Sequence, residues 1–136
     1  MSVLLYRGIS LIDRSTEIVV LGVKNSSNSK TGPMLQTHIL HADADPIAAI
    51  KNDQDAAICG DCPHRGVGFN NRSCYVNVAL GPTRAWRCQE SSSITDPARF
   101  GARQHIRLGA YGDPAAVPIE FWESLLSRAY GWTGYT

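Results

Sequence analysis

All four cysteines of the chain fall between residues 59 and 88, in C-G-D-C-P-H-R-G-V-G-F-N-N-R-S-C-Y-V-N-V-A-L-G-P-T-R-A-W-R-C. Cys59 and Cys62 form a C-x2-C pair, His64 follows two residues on, and Cys74 and Cys88 complete the set. A C-x2-C turn carries two thiols to one side of a tight loop, close enough to share a metal. Zinc takes four such ligands, usually Cys or His, from near or distant sequence. Cys59, Cys62, Cys74 and His64 make a three-thiolate, one-imidazole set; with Cys88 as fourth ligand the set is all cysteine. A structural zinc would contribute folding energy directly, which suits a small domain with long loops. Arg65 and Arg72 beside the thiolates would offset their charge.

Two other chemistries use the same residues. An iron–sulfur cluster on Cys59, Cys62 and Cys74 would leave one iron position open to a substrate or cofactor, although C-x2-C-x11-C is not among the familiar cluster spacings. A metal-free C-x2-C pair can be redox-active, but C-G-D-C lacks the preceding strand and following helix of a thioredoxin-like motif. Nucleophilic catalysis has only isolated parts, with no G-x-S-x-G elbow. Lys30-Thr31 is not a phosphate loop of the G-x4-G-K-[ST] type, because Ser29 stands where the glycine is required. His38 and His41, three apart on an expected strand, point to opposite faces and do not share a metal. Asp113 is a turn residue and helix cap, or else an acid at a strand end.

The net charge of +1 hides an uneven distribution. Residues 64–112 carry seven arginines against Glu90 and Asp96, whereas the segments on either side are net acidic. Arginine forks match phosphates and carboxylates, so Arg65, Arg72, Arg84 and Arg87, with Lys30, are candidates for an anionic partner, nucleic acid included. Tyr75, Trp86 and Tyr111 could stack on bases beside them, packing being the plainer role for each.

The elements that must position these residues alternate between strand and helix. Strands are expected over 2–6, 16–23, 34–40, 105–111 and 132–136, the second as a β-branched run suited to a sheet buried on both faces. Asp45-Pro46 and Asp96-Pro97 read as cap and first residue of helices, and Pro82 starts another. Y-V-N-V-A-L is open between strand and helix. I-E-F-W-E-S-L-L-S-R-A puts Ile119, Trp122, Leu125, Leu126 and Ala129 on one helical face, a core stripe. These elements predict one α/β (or α+β) domain over 1–136: N-terminal strands and a helix over 1–58, the metal loop over 59–88, and a β-α-β unit over 105–136. No apolar run approaches the ~20 residues that span a membrane. No signal peptide is recognised, and clustered cysteines suit a reducing compartment, so a cytoplasmic site is expected.

The combination N-S-K-T-G, C-G-D-C-P-H-R, S-C-Y-V-N-V-x-x-G-P, I-R-L-G-A-Y-G-D-P-A-A-V-P and W-T-G-Y-T resembles a family of uncharacterised phage and prophage proteins, similar in layout to the phage gene product 88 family. The resemblance covers roughly residues 18–136. It implies a bacterial host cell, a chain shortened relative to the family after G-Y-T, and a partial (β/α)-barrel-like C-terminal unit with Asp113 near the metal loop. It includes Cys59, Cys62 and Cys74, whereas Cys88 departs from the family's pattern. The expectation is therefore a small phage-type protein whose zinc site organises an arginine-rich surface for nucleic acid or a host protein, in host takeover or counter-defence. The alternative is an iron–sulfur or metal-dependent enzyme at the strand ends of an incomplete α/β barrel. A terminal strand with a free edge also suggests a homodimer.

Overall fold

The apolar run at 17–23 pairs with the mixed stretch at 35–41 at the centre of a single sheet. The computed structural model describes residues 2–24, 29, 32–89 and 93–135. In it, β1 (Val3–Ile9), β2 (Glu17–Val23), β3 (Leu35–His41), β4 (His105–Tyr111) and β5 (Gly131–Gly134) lie in that order across five strands. β2 runs antiparallel to both β1 and β3, whereas β4 and β5 continue parallel to β3. β1, β3, β4 and β5 therefore share one direction, and their C-terminal ends lie along one edge of the sheet. The chain forms one mixed α/β domain.

Sheet burial follows from what packs on each face. Leu21 sits opposite His38 and Val19 opposite Leu40, while Val20 faces Ile39 and Gly22 faces Thr37 on the reverse side. His38 and His41 thus point to opposite faces, as their spacing predicts. The helix α3 (Gly81–Arg87) lies on the His38 side, where a Cβ on Gly81 would stand 3.7 Å from His38 Cε1. The other side takes α4 (Pro97–Gly101) and α5 (Ile119–Leu126). There Phe100 fits so closely over Gly22 that a Cβ on that glycine would meet Phe100 Cε1 at 2.5 Å, and Tyr6 and Phe121 rings lie 5.4 Å apart. Covered on both faces, β2 can be apolar almost throughout, and β3 is buried almost throughout even at Gln36, Thr37 and His38.

Local sequence accounts for the helix starts. Asp45 accepts from the Ile47 N–H at 2.9 Å and opens α1 (Pro46–Lys51); Asp96 accepts from the Ala98 N–H at 3.1 Å and opens α4. Each carboxylate satisfies one of the free N–H groups of a first turn and sits at the positive end of the helix dipole. Y-V-N-V-A-L becomes neither strand nor helix but a turn leading into α3. The expected core stripe of α5 shifts: Phe121, Trp122 and Leu125 are buried, whereas Ile119 is exposed because it is the first helical residue after Pro118. Among the described residues, no helix is long and apolar enough to cross a membrane.

Candidate functional site

One short helix, α2 (Ala56–Cys59), starts the cysteine loop and anchors it to the sheet edge. Ser10, just past β1, donates its hydroxyl to the Ala57 carbonyl at 2.6 Å, and the Asp113 N–H, just past β4, donates to the Ile58 carbonyl at 2.6 Å. Cys59 is therefore held at the C-terminal ends of β1 and β4. The Asp113 side chain accepts from the Ala115 N–H at 2.9 Å and caps a single 3-10 turn at Pro114–Ala116.

From Cys59 the chain folds back on itself. Gly60 leaves the helix at φ 62°, the Cys62 N–H returns to the Cys59 carbonyl at 3.3 Å, and the Arg65 N–H to the Cys62 carbonyl at 3.1 Å. Gly66 at φ 68° admits a tight turn in which Val67 and Asn70 exchange hydrogen bonds of 2.9 Å. A Cβ on Gly66 would run into the Asn70 carbonyl oxygen, so only glycine fits. The returning segment brings the Ser73 and Cys74 N–H groups to the His64 carbonyl, each at 3.1 Å. Cys59, Cys62, His64 and Cys74 thus share one closed loop.

A buried ion network, which nothing in the cysteine spacing announces, clamps this loop. Asp55, directly before α2, has a side chain only 3% exposed and accepts from Arg65 Nη2 and Arg72 Nη1, each at 3.0 Å. Arg65 Nη2 also reaches Asp53 at 2.5 Å, and Arg72 donates to the Arg65 carbonyl at 3.1 Å and the Tyr111 hydroxyl at 3.4 Å. Two arginines face two aspartates, so their charges balance. Arg65 and Arg72, expected to meet an external anion, are already committed to internal ones. The one available signal was an aspartate placed before the A-A-I-C turn.

This setting controls the thiols. Burial pushes the Cys59 thiol up to about 12, the Asp55 carboxylate and the neighbouring Cys74 and Cys62 push the same way, and Arg72 opposes them. Burial likewise raises the Tyr111 phenol, with Cys59 next among the causes. The four cysteines are free thiols. Among the described residues no three His, Cys, Asp or Glu side chains converge in a way that would hold a metal as they stand. Cys62 and His64 point to solvent, while Cys59 is largely covered. His64 Nδ1 lies 2.9 Å from Ser73 Oγ, which leaves Nε2 outward. A cleft of about 280 Å3 opens alongside, lined by Arg72, Cys74 and Asn77 among apolar residues that include Ile47, Phe69 and Val76.

The other candidates lie elsewhere. Cys88 ends α3, and its carbonyl accepts from the Ser2 N–H at 3.2 Å at the start of β1. Arg87 pairs with Asp45 at 3.3 Å, and Arg84 is exposed with no ion pair among the described residues. Lys30 falls outside the described residues. Of the aromatic candidates, Tyr111 is buried and Trp86 half-buried, its Nε1 donating to the His41 carbonyl at 3.2 Å, whereas Tyr75 is 80% exposed. No protein-family model, curated protein or solved structure matches the chain.

Proposed function

We propose that this chain is a small binding protein whose 59–74 loop takes a structural zinc on Cys59, Cys62, Cys74 and His64, and whose arginine-bearing surface engages a nucleic acid or protein partner. One observation carries the metal reading. The hydrogen bond from the Cys74 N–H to the His64 carbonyl closes the loop, so that three thiols and an imidazole share it and Cys59 feels both other thiols. The contact of His64 Nδ1 with Ser73 is of the kind that orients a ligating imidazole through its other nitrogen. The position of Cys88 beside Ser2 favours His64 as fourth ligand.

Energetics permit the necessary rearrangement. Turning side chains inward costs about 0.5–1.5 kcal/mol each even where a rotamer is strained. Deprotonating a thiol with pKa about 12 at pH 7 costs on the order of 7 kcal/mol. Structural zinc sites release about 10–16 kcal/mol, and a bound cation removes the thiol proton outright. The metal would hold the loop in one shape. Likeness to phage gene product 88 proteins suggests host takeover or counter-defence in a bacterial cytoplasm as the setting.

A second reading, a metal-dependent or iron–sulfur enzyme at the ends of a partial barrel, draws on the hydrogen bond that ties Asp113 to Ile58 one residue from Cys59. Elemental analysis with an anaerobic visible spectrum separates the two. We expect about one zinc per colourless chain, lost with a lowered Tm in Cys62→Ser. Iron with sulfide and a brown absorbance establishes the second reading, in which Asp113→Asn abolishes turnover with the metal retained. Protein that takes up no metal after reduction, whether given zinc or ferrous iron with sulfide, sinks both.

A further inference from the structure

Three of the arginines without an ion pair among the described residues lie together, at a different place from the cysteine loop. Arg103, Arg107 and Arg128 make no ion pair among the described residues. The Arg103 N–H donates to the Arg128 carbonyl at 2.9 Å, which brings those two chain segments together beside the N-terminal end of β4. His105 and Arg107, two apart on β4, project from the sheet face opposite α5. On that face, Arg107 Nη2 donates to the Tyr75 hydroxyl at 2.8 Å, and the His105 and Tyr130 rings lie 5.9 Å apart.

Two features of this face point to one kind of partner. Its tyrosines are open to solvent, Tyr75 at 80% and Tyr130 at 68%, and Tyr135 continues the series just after β5. Exposed apolar groups gathered in one patch mark interaction surfaces. The contributing stretches, 71–89, 97–112 and 124–135, contain no Asp or Glu at all. Cations without acids beside them repel a basic protein surface and attract a phosphate chain. Exposed rings offer stacking platforms for bases, and such platforms reach only bases that are not already paired and stacked in a duplex.

We infer that the open face of β4 and β5, with Tyr75 laid across it, binds single-stranded nucleic acid. Tyr75 and Tyr130 stack on bases, and Arg103, Arg107 and Arg128 contact phosphates. This deepens the binding half of the reading above by naming its partner and residues, and it does not depend on the metal. Metal content and oligonucleotide binding are read separately, so either can fail alone.

The test is fluorescence anisotropy with labelled mixed-sequence oligonucleotides of about 15 nucleotides, a length in the range such sites cover, as single-stranded DNA, as single-stranded RNA and as the DNA duplex. Heparin serves as a base-free polyanion. We expect single strands to bind with a log–log salt slope of about −2, from three phosphate contacts at roughly 0.7 each. Tyr130→Ala and Tyr75→Ala should each weaken binding about ten-fold, within the range for one lost stack, while Tyr75→Phe keeps affinity because the ring remains. Arg128→Gln should reduce the slope, and Arg84→Gln, on α3, should not. Both tyrosines are exposed, so the alanine variants should melt with the parent. Equal affinity for duplex or heparin, indifference to Tyr→Ala in folded protein, or no binding at low salt overturns the proposal. The DNA and RNA arms tell which strand the face prefers.

Discussion

Asp55 and Arg72, seventeen residues apart in sequence, meet at 3.0 Å in a place that water scarcely reaches. Between them lies the whole C-x2-C turn with His64, so this one contact, doubled by Arg65 on the other carboxylate oxygen, closes the cysteine loop. Replacing a buried ion pair wholesale can be neutral, but removing one partner strands the other. That typically costs about 3–5 kcal/mol. Asp55→Asn should therefore lower stability by about that amount in chemical denaturation. Asp53→Asn, whose side chain is half exposed and touches only Arg65, should cost about 1 kcal/mol or less. Equal effects of the two substitutions would show that the network is not what holds the loop.

Backbone geometry at Gly66 yields a second expectation. A side chain there meets the Asn70 carbonyl and stands 2.7 Å from the Arg72 backbone nitrogen, on top of the strain of a positive φ. Gly32 has a similar φ of 62° but open space around it. Gly32→Ala should thus cost only the left-handed strain, about 1–2 kcal/mol. Gly66→Ala should cost more and reduce metal uptake, because the turn that returns Cys74 to His64 cannot close. Thermal melts and metal content of the two variants make the comparison.

Acid sensitivity should trace to His38. Its ring is buried in the sheet, its Nδ1 has no hydrogen-bond partner among the described residues, and burial, with Arg107 as a lesser cause, holds its pKa down to about 4. An unfolded histidine titrates near 6.5, so between about pH 6.5 and 4 the unfolded chain binds the extra proton. The stabilisation is fully present above pH 6.5 and is lost as pH falls toward 4, by about 3 kcal/mol at 1.36 kcal/mol per pH unit. Denaturation midpoints at pH 7 and pH 4.5 for the parent and His38→Leu should differ in slope. Parallel losses in the two proteins would assign the acid sensitivity to other groups.

Ligand identity is separable by substitution. Cys88→Ser should leave metal content and melting unchanged, since Cys88 sits at the end of α3 beside Ser2. His64→Ala should weaken zinc retention against a chelator by more than ten-fold, consistent with the loss of one of four ligands. The reverse pattern would make the site all cysteine. Metal uptake should also release protons and weaken steeply below neutral pH, because the Cys59 thiol starts protonated.

Much of the architecture was legible in residues that act over short distances. The Asp45-Pro46 and Asp96-Pro97 pairs marked two helix starts because a cap needs only the next two N–H groups. The β-branched run at 17–23 indicated a strand covered on both faces, and the C-terminal strand–helix–strand order was readable from period alone. The helix Ala56–Cys59 was not, being a single turn set by its hydrogen bonds to Ser10 and Asp113 rather than by any pattern of its own. Tertiary structure alone decided which charges are free. Arg65, Arg72 and Arg107 are the same residue type in sequence. Two of them are paired with Asp53 and Asp55, which the fold carries to them, and the third is left beside Tyr75 with no ion pair among the described residues. Charge pairing depends on distances between residues far apart along the chain, and those distances exist only once the sheet and its loops have closed.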